Sequence, residues 1–272
     1  MHGQEGKKLT KREPMLVRLK AFMRAVLPVR VLRTVPRRRE LRACVSLLLE
    51  DTPNASLLDK IRIIVTLYIV SFSIESPHTQ DEIISFIRTM LTLPAQSRGV
   101  VVEAGCFKGS STAKFSMAAK LAGRTLVVFD SFEGIPENDE AHERNIFGED
   151  ATFKKGDYCG SIETVRRNVA RYGEVNSCRF IKGWFDETLS DFREPIAAIY
   201  LDVDLASSTR TCISYLYPLL EKGGSLYSQD GHLPLVIDVF EDDDFWRGKV
   251  GCRKPDVQGL GGSRLIRVVK QR

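Results

Sequence analysis

The first part of the chain repeats apolar residues at helical spacing. One predicted helical face consists of Leu57, Leu58, Ile61, Ile64 and Leu67. Further along, Thr79 and Glu82 have the spacing of a capping box, which predicts the start of a helix that ends at Pro94. Residues 43–94 are therefore predicted to be helical and to serve as a lid or dimer element.

From residue 99 onward, short apolar runs alternate with helical segments. The predicted strands are 100–102, 125–129, 179–181, 196–201, 225–228 and 263–270. The predicted helices are 110–121, 161–172, 209–220 and 235–246. This alternation predicts right-handed βαβ units in an α/β fold, with a doubly wound, mostly parallel sheet and helices on both faces. Ligands of such sheets bind at the carboxyl ends of the strands.

The composition is that of an ordinary globular protein. Of the 272 residues, 43% are hydrophobic and 28% are charged, unlike a disordered or collagen-like chain. No apolar run reaches the roughly 20 residues that cross a bilayer, and the first residues lack the apolar core of a signal peptide. The six cysteines form no CxxC pair, which disfavours a zinc or thioredoxin-type site and indicates buried thiols in a reducing compartment. We therefore expect a cytoplasmic protein.

Positive charge is concentrated in an arm at the start of the chain. Residues 1–42 hold 13 Lys and Arg against 3 Asp and Glu, a net charge of +10, whereas residues 43–272 hold 27 against 32, a net charge of −5. Apolar residues recur among the basic ones at 16–32, so the arm could lie on a membrane surface; the alternative is a solvated tail that docks on the acidic remainder. Weak membrane-surface contact through the arm stays open as the alternative to a solvated tail, and we expect no nucleic-acid partner. The predicted organisation is a basic arm at 1–42, a helical extension at 43–94 and a ligand-binding domain at 95–272.

The residues after the first two predicted strands suit a nucleoside-like ligand. Gly105 permits a tight turn, and Gly109 permits close strand–helix packing. Glu103 precedes the turn and suits a ligand with an ammonium or sulfonium group, and Asp130 can accept hydrogen bonds from ribose hydroxyls. The G-x-x-x-G spacing is not the G-x-G-x-x-G of dinucleotide sites, and a plain βα turn is the alternative.

Acidic residues also follow the fourth and fifth predicted strands. Asp202 and Asp204 suit a hard cation, or one base and one ligand; the alternative is that one of them caps the following helix. Asp230 ends the neighbouring strand, so it is predicted to converge with Asp202. Nearby, His232 could be a metal ligand, a general base or a surface residue.

Five segments together resemble the macrocin/mycinamicin/noviose O-methyltransferase family over about residues 76–270. They are VVEAGCFKGSSTAK, VVFDSFEGIPE, IKGWFDETL, YLDVDLASSTRT and YPLLEKGGSLYSQDGH. Members of this family methylate sugar hydroxyls of natural products. The resemblance implies a class I methyltransferase (Rossmann-like) sheet with an antiparallel last strand, S-adenosyl-L-methionine as the cofactor, Mg²⁺ near the substrate diol and a small-molecule hydroxyl acceptor. We also expect a homo-oligomer.

Carried over by matching positions, the resemblance implies three sets of site residues. The cofactor-binding set is Glu103, Gly105, Gly109, Ser110, Asp130, Ser131, Trp184 and Asp202. The metal set is Asp202, Asp230 and Gln229, where Gln229 departs from the Asp-Asp pair usual in the family. The catalytic set implied by the resemblance is Asp204 as general base; His232, proposed from its position after the fifth strand, is the candidate base if no metal takes part.

Two other classes of function compete with a methyltransferase. A nicotinamide-dependent oxidoreductase would share the fold, but the chain lacks G-x-G-x-x-G and a Tyr-x-x-x-Lys pair after the fourth strand. A non-catalytic cofactor-binding scaffold would not need the strand-end acids, all of which are present. The sequence therefore favours an O-methyltransferase.

Overall fold

The computed structural model describes residues 38–271. Three helices come first: α1 (Arg38–Leu49), α2 (Leu57–Ser73) and α3 (Gln80–Leu91). Helix α1 begins among residues that the sequence analysis assigned to the basic arm. The rest of the arm, including its apolar and basic stretch at 16–32, lies outside the described residues.

Capping boxes begin the second and third helices. Ser56 and Asp59 exchange hydrogen bonds at the start of α2, and the predicted pair Thr79 and Glu82 forms the capping box of α3. Such pairs satisfy backbone N–H groups that have no partner inside the helix. The capping box of α3 is thus confirmed.

The predicted apolar face of α2 is right for Leu67 and Ile64, which pack on the core, and wrong for its other three residues. The face that packs inward holds Ile63, Leu67 and Val70, whereas Leu57, Leu58 and Ile61 are exposed. Helix α2 is apolar on nearly every side, so its sequence does not single out the buried face.

The sheet has seven strands. They are β1 (Val100–Ala104), β2 (Leu126–Asp130), β3 (Cys178–Lys182), β4 (Ile196–Leu201), β5 (Leu220–Ser228), β6 (Val257–Gln258) and β7 (Ile266–Val269). Their order is β3-β2-β1-β4-β5-β7-β6, with the first five strands parallel and β7 antiparallel to both of its neighbours. The expected doubly wound, mostly parallel sheet with an antiparallel last strand is confirmed. Strand β6 was not predicted, because two residues are too few for a readable pattern.

Helices cover both faces of the sheet. They are α4 (Ser110–Leu121), α5 (Ile162–Tyr172), α6 (Phe185–Thr188), α7 (Ala206–Leu219), α8 (Pro234–Glu241) and α9 (Asp243–Phe245), which continues into a π-helical turn at Trp246–Val250. The helix predicted at 235–246 is present but is not continuous. It is interrupted at Asp242, where the backbone is extended. The Asp242 side chain accepts a hydrogen bond from the Phe245 N–H and so caps α9.

Two apolar clusters lie on the two sides of the sheet. The first joins helices α1 to α5 to one face, and aromatic contacts among Phe86, Phe115 and Tyr200 tie α3 and α4 to β4. The second packs α7 and α8 on the other face. The helical extension therefore shares its core with the sheet. Within residues 38–271, no helix is both long and apolar enough to cross a bilayer.

Candidate active site

A cleft with about 1320 Å³ of empty space opens at the carboxyl ends of the parallel strands. Most of the predicted site residues line it, namely Gly105, Ser110, Asp130, Ser131, Trp184, Asp202, Asp204, Gln229, Asp230 and His232. Glu103 and Gly109 do not line it, and Glu103 is fully buried. The chain thus brings together most of the residues that the strand ends predicted.

The turn after β1 requires glycine for two reasons. Gly105 has φ +82°, a backbone conformation that residues with a Cβ atom rarely adopt. A Cβ at this position would lie 1.9 Å from the carbonyl oxygen of Asp202, at the end of β4. Gly109 also has a positive φ, of +79°, and a Cβ there would approach Val165 of α5 to 3.0 Å. Gly105 therefore shapes the cleft floor, and Gly109 allows α4 and α5 to pack closely.

Asp130 joins the turns that follow β1 and β2. One carboxylate oxygen accepts the Cys106 N–H at 2.7 Å, and the other accepts the Phe132 N–H at 2.6 Å. Burial raises the pKa of Asp130, and these backbone bonds oppose the shift. The carboxylate lines the cleft in a fixed orientation, with further lone pairs available for ligand hydroxyls.

Glu103 lies beneath this turn. Burial raises its pKa to about 8, and the charges of Asp202 and Asp130 add to the shift. The hydroxyls of Ser111 and Thr112 oppose the shift, although neither carboxyl oxygen has a hydrogen-bond partner among the described residues. A carboxyl in this position favours its protonated form near neutral pH, and its role toward the cofactor stays a prediction.

Three carboxylates converge where β4 and β5 end. One oxygen of Asp230 accepts the N–H groups of Val203 at 3.0 Å and Asp204 at 3.1 Å. Burial, together with the charge of Asp202, raises the pKa of Asp230 to about 8. Burial is also the main cause that raises the pKa of Asp204, followed by the charges of Asp230 and Asp202. Asp204 has φ +60°, a strained conformation for this residue that places the backbone N–H on Asp230.

His78 is a site residue that the sequence analysis missed. Its Nε2 lies 2.8 Å from Asp202 Oδ2, its Nδ1 lies 3.2 Å from Ser76 Oγ, and only 4% of its side chain is exposed. The ring also meets Tyr200 edge-on, and the Tyr200 hydroxyl donates to Gln229 Oε1 at 3.0 Å. One feature of the sequence could have indicated this role. His78 directly precedes the capping box of α3, in the segment between α2 and α3.

His232 lies on the cleft wall beside Phe147, with the two rings stacked at 6.3 Å. Burial and the nearby Arg264 lower its pKa to about 4, so the ring is neutral at pH 7. Its Nδ1 has no hydrogen-bond partner among the described residues. This nitrogen can therefore accept a hydrogen bond from a ligand, although the lowered pKa makes the ring a weaker base than an ordinary histidine.

The remaining wall comes from the segment after β2 and from the residues after β3. Gly134 and Pro136 come from the first of these segments and Trp184 from the second. Gly134 has φ +81°, and a Cβ would lie 2.4 Å from the Asp157 carbonyl oxygen, so this segment folds closely on itself. The cleft is thus lined by both apolar side chains and carboxylates.

Comparison with known proteins identifies the family. A profile described as macrocin-O-methyltransferase (TylF) matches residues 86–242, more than half of the chain and most of the cleft. The chain belongs to this family. The resemblance stated from the five sequence segments is thereby confirmed.

Two relatives of the TylF-family chain come from Streptomyces. An 8-demethyl-8-(2,3-dimethoxy-alpha-L-rhamnosyl)-tetracenomycin-C 4'-O-methyltransferase of Streptomyces olivaceus is 32% identical over 173 residues, which are 60% of this chain and 64% of the relative. A demethyldecarbamoylnovobiocin O-methyltransferase of Streptomyces niveus is 32% identical over 141 residues, 48% of this chain and 52% of the relative. The chain thus spans less than two thirds of the length of either relative.

A solved structure matches the fold of the TylF-family chain. The O-methyltransferase NovP superposes with a TM-score of 0.55 at 23% identity, covering 94% of this chain and 99% of NovP. At this identity the likeness concerns the fold. It confirms the expected class I methyltransferase fold with added N-terminal helices.

Proposed function

We propose that this protein is an S-adenosylmethionine-dependent O-methyltransferase that acts on a hydroxyl of a small molecule, a sugar of a natural product or glycoconjugate. The observation that carries the proposal is the single cleft that joins the glycine turn after β1, Asp130 after β2 and the carboxylates after β4 and β5. Membership of the TylF family, the O-methyltransferase names of both relatives and the rhamnosyl group in the name of the Streptomyces olivaceus relative support it.

The residues at the ends of β1 to β3 fit the cofactor. The backbone at Gly105 leaves space that a Cβ would fill, Asp130 is oriented toward ribose hydroxyls, and Trp184 is an aromatic wall for adenine. Ser110 and Ser131 add hydroxyl groups to the same wall. When bound, S-adenosylmethionine supplies a methyl group on a positively charged sulfur.

The residues at the ends of β4 and β5 fit a proton-accepting role. An acceptor hydroxyl must lose its proton as its oxygen attacks the methyl carbon, and the protein must hold that oxygen in line with the methyl group. Asp204 lines the cleft, and its raised pKa makes it a stronger base than an ordinary carboxylate. His78 holds Asp202 beside it, and the neutral His232 adds an unpartnered nitrogen that can accept a hydrogen bond from the acceptor hydroxyl.

The donors predicted to hold magnesium do not fit an ion as they are arranged. His78 engages one oxygen of Asp202, two backbone N–H groups engage one oxygen of Asp230, and the Tyr200 hydroxyl engages the oxygen of Gln229. Within residues 38–271, no three His, Cys, Asp or Glu side chains are grouped to hold a metal ion. We therefore derive no step through a metal. Turnover retained in excess EDTA would support this arrangement, whereas loss restored by magnesium would support the ligand set predicted from sequence.

Calorimetric titration tests the class of cofactor. S-adenosylhomocysteine is expected to bind and NAD is not, because the β1 turn lacks the dinucleotide spacing. Transfer of a labelled methyl group from S-adenosylmethionine to a rhamnoside, but not to its aglycone, would then establish the reaction. Cofactor binding without transfer to any glycoside would point instead to a non-catalytic scaffold.

A further inference from the structure

Helices α1 and α2 present an apolar face to solvent. The described residues include thirteen large apolar side chains that are exposed, and nine of them lie on these two helices. We call this set the outer face; it comprises Leu41, Val45, Leu49, Leu57, Leu58, Ile61, Val65, Ile69 and Phe72. Soluble monomers rarely expose so many large apolar side chains together, so the outer face indicates a binding surface.

The outer face is a continuous stripe on each helix. Leu41, Val45 and Leu49 recur at intervals of four residues along α1, and Ile61, Val65 and Ile69 do the same along α2. Residues at this interval lie above one another on one side of a helix. The opposite side of each helix packs on the core of the protein. The exposed stripes are therefore not needed to form that core.

The exposed charged side chains within the two helices are positive. They are Arg38, Arg39, Arg42 and Arg62, the last of which pairs with Glu174 at 3.8 Å; the exposed acidic residues Asp51 and Glu75 follow the ends of α1 and α2. The acidic side chains of the same helices are at least partly buried, and Asp59 is also held by the capping box of α2. Residues 1–37, which lead directly into α1, hold ten Lys and Arg against two Asp and Glu, a net charge of +8.

We propose that the outer face binds an anionic membrane surface. An apolar helical stripe flanked by arginine is the pattern of a helix that lies in the headgroup region, with apolar side chains toward the acyl chains and guanidinium groups on lipid phosphates. A second copy of the chain fits less well, because a two-fold contact would place the same positively charged face against itself. Helix α2 has 17 residues and lies on the surface of the protein.

Vesicle flotation of the full-length protein tests this surface. Binding is expected to vesicles of equal parts phosphatidylglycerol and phosphatidylcholine, with much weaker binding to phosphatidylcholine alone and loss in high salt. The variant Ile61→Gln/Val65→Gln/Ile69→Gln removes part of the stripe while leaving every charge in place. It is expected to bind anionic vesicles about tenfold or more weakly.

A matched control changes an exposed apolar residue elsewhere. Tyr215, on α7, is 40% exposed, and Tyr215→Gln is expected to bind vesicles like the unaltered protein. Circular dichroism and calorimetric titration with S-adenosylhomocysteine show whether each variant keeps its fold and its cofactor site. A second variant, Leu41→Gln/Val45→Gln, tests the α1 stripe separately and is expected to weaken binding as well.

Three results would overturn the proposal. The first is a full-length protein that does not bind anionic vesicles. The second is a triple variant that is folded and binds them as tightly as the unaltered protein, which would assign the affinity to the basic arm alone. The third is a dimer that the triple substitution converts to a monomer in light scattering without changing lipid binding, which would make the outer face an interface between copies of the chain.

Discussion

The carboxylates in the two halves of the cleft differ in their hydrogen bonding and in the causes of their pKa shifts. At the ends of β1 and β2, which we call the cofactor half, Asp130 is bound by backbone N–H groups on both oxygens. At the ends of β4 and β5, the acceptor half, burial and neighbouring carboxylates raise the pKa of Asp204 and of Asp230, and the neutral ring of His232 keeps an unpartnered nitrogen.

This difference separates binding from chemistry. A carboxylate whose hydrogen bonds are satisfied is rigid, and rigidity lowers the cost of holding a ligand. Carboxylates that repel one another favour the uptake of a proton or the approach of a positive charge. We therefore expect substitutions in the cofactor half to act on cofactor affinity, and substitutions in the acceptor half to act on turnover.

The largest effect is expected from Gly105→Ala. The new Cβ would overlap the Asp202 carbonyl oxygen, so the ends of β1 and β4 must separate. We expect about 3 kcal/mol or more of lost unfolding free energy, measured in urea, together with loss of cofactor binding. Gly123→Ala is the matched control, since its φ is +64° and nothing lies within 4 Å of the new Cβ. Equal effects of the two changes would contradict the close contact at Gly105.

Asp204→Asn is expected to lower kcat by about 10²–10⁴-fold, because the amide cannot accept the acceptor's proton. The affinity for S-adenosylhomocysteine should stay the same, since Asp204 belongs to the acceptor half. Asp191→Asn, at an exposed site, controls for a general effect of the lost charge. A normal kcat in the Asp204 variant would transfer the role of base to His232.

Asp130→Ala tests the other half of the cleft. The change removes the ribose acceptor and also frees two backbone N–H groups, so cofactor binding should weaken by about 1–3 kcal/mol in calorimetric titration. At saturating cofactor, kcat should fall far less than in the Asp204 variant. If the Asp130 and Asp204 variants both change only cofactor affinity, or both change only kcat, the proposed difference between the two halves is wrong.

A smaller effect is expected at His78, which contacts Asp202 from the helical extension. His78→Phe removes the bond to Asp202 and should lower kcat about tenfold while the Kd for cofactor stays constant. His78→Gln can still donate to Asp202, so we expect it to recover most of the activity. A similar loss in both variants would mean that the ring's packing on Tyr200, rather than its hydrogen bond, is what matters.

The last prediction concerns the pH dependence of stability, which tests a buried carboxyl outside the cleft lining. The pKa of Glu103 is raised from 4.5 to about 8 in the folded protein, so its contribution to stability is full below pH 4.5 and is lost as the pH rises through about 8. Glu103→Gln should therefore reduce the fall in unfolding free energy between these pH values. Glu133→Gln, at an exposed carboxylate, should leave that slope unchanged. An unaltered slope in the Glu103 variant would mean that this carboxyl is ionised throughout.

Local patterns were enough for much of the sheet and for many of the cleft residues. The apolar run at the start of β1 required a strand buried on both faces, and the glycine turn and strand-end acids then had to meet at one edge, because the parallel strands of this sheet end on the same side. Thr79 and Glu82 predicted the start of α3 because a capping box is complete within four residues.

The three-dimensional fold alone decided what distant residues do to one another. His78 meets Asp202 although 124 positions separate them, and no local pattern carries that distance. The buried face of α2 depends on which helices it packs against, since its sequence is apolar nearly all round. Glu103 was correctly placed at a strand end, yet its complete burial and raised pKa arise from the helices and carboxylates that surround it. Local order follows from neighbouring residues, whereas burial and charge depend on packing across the whole sheet.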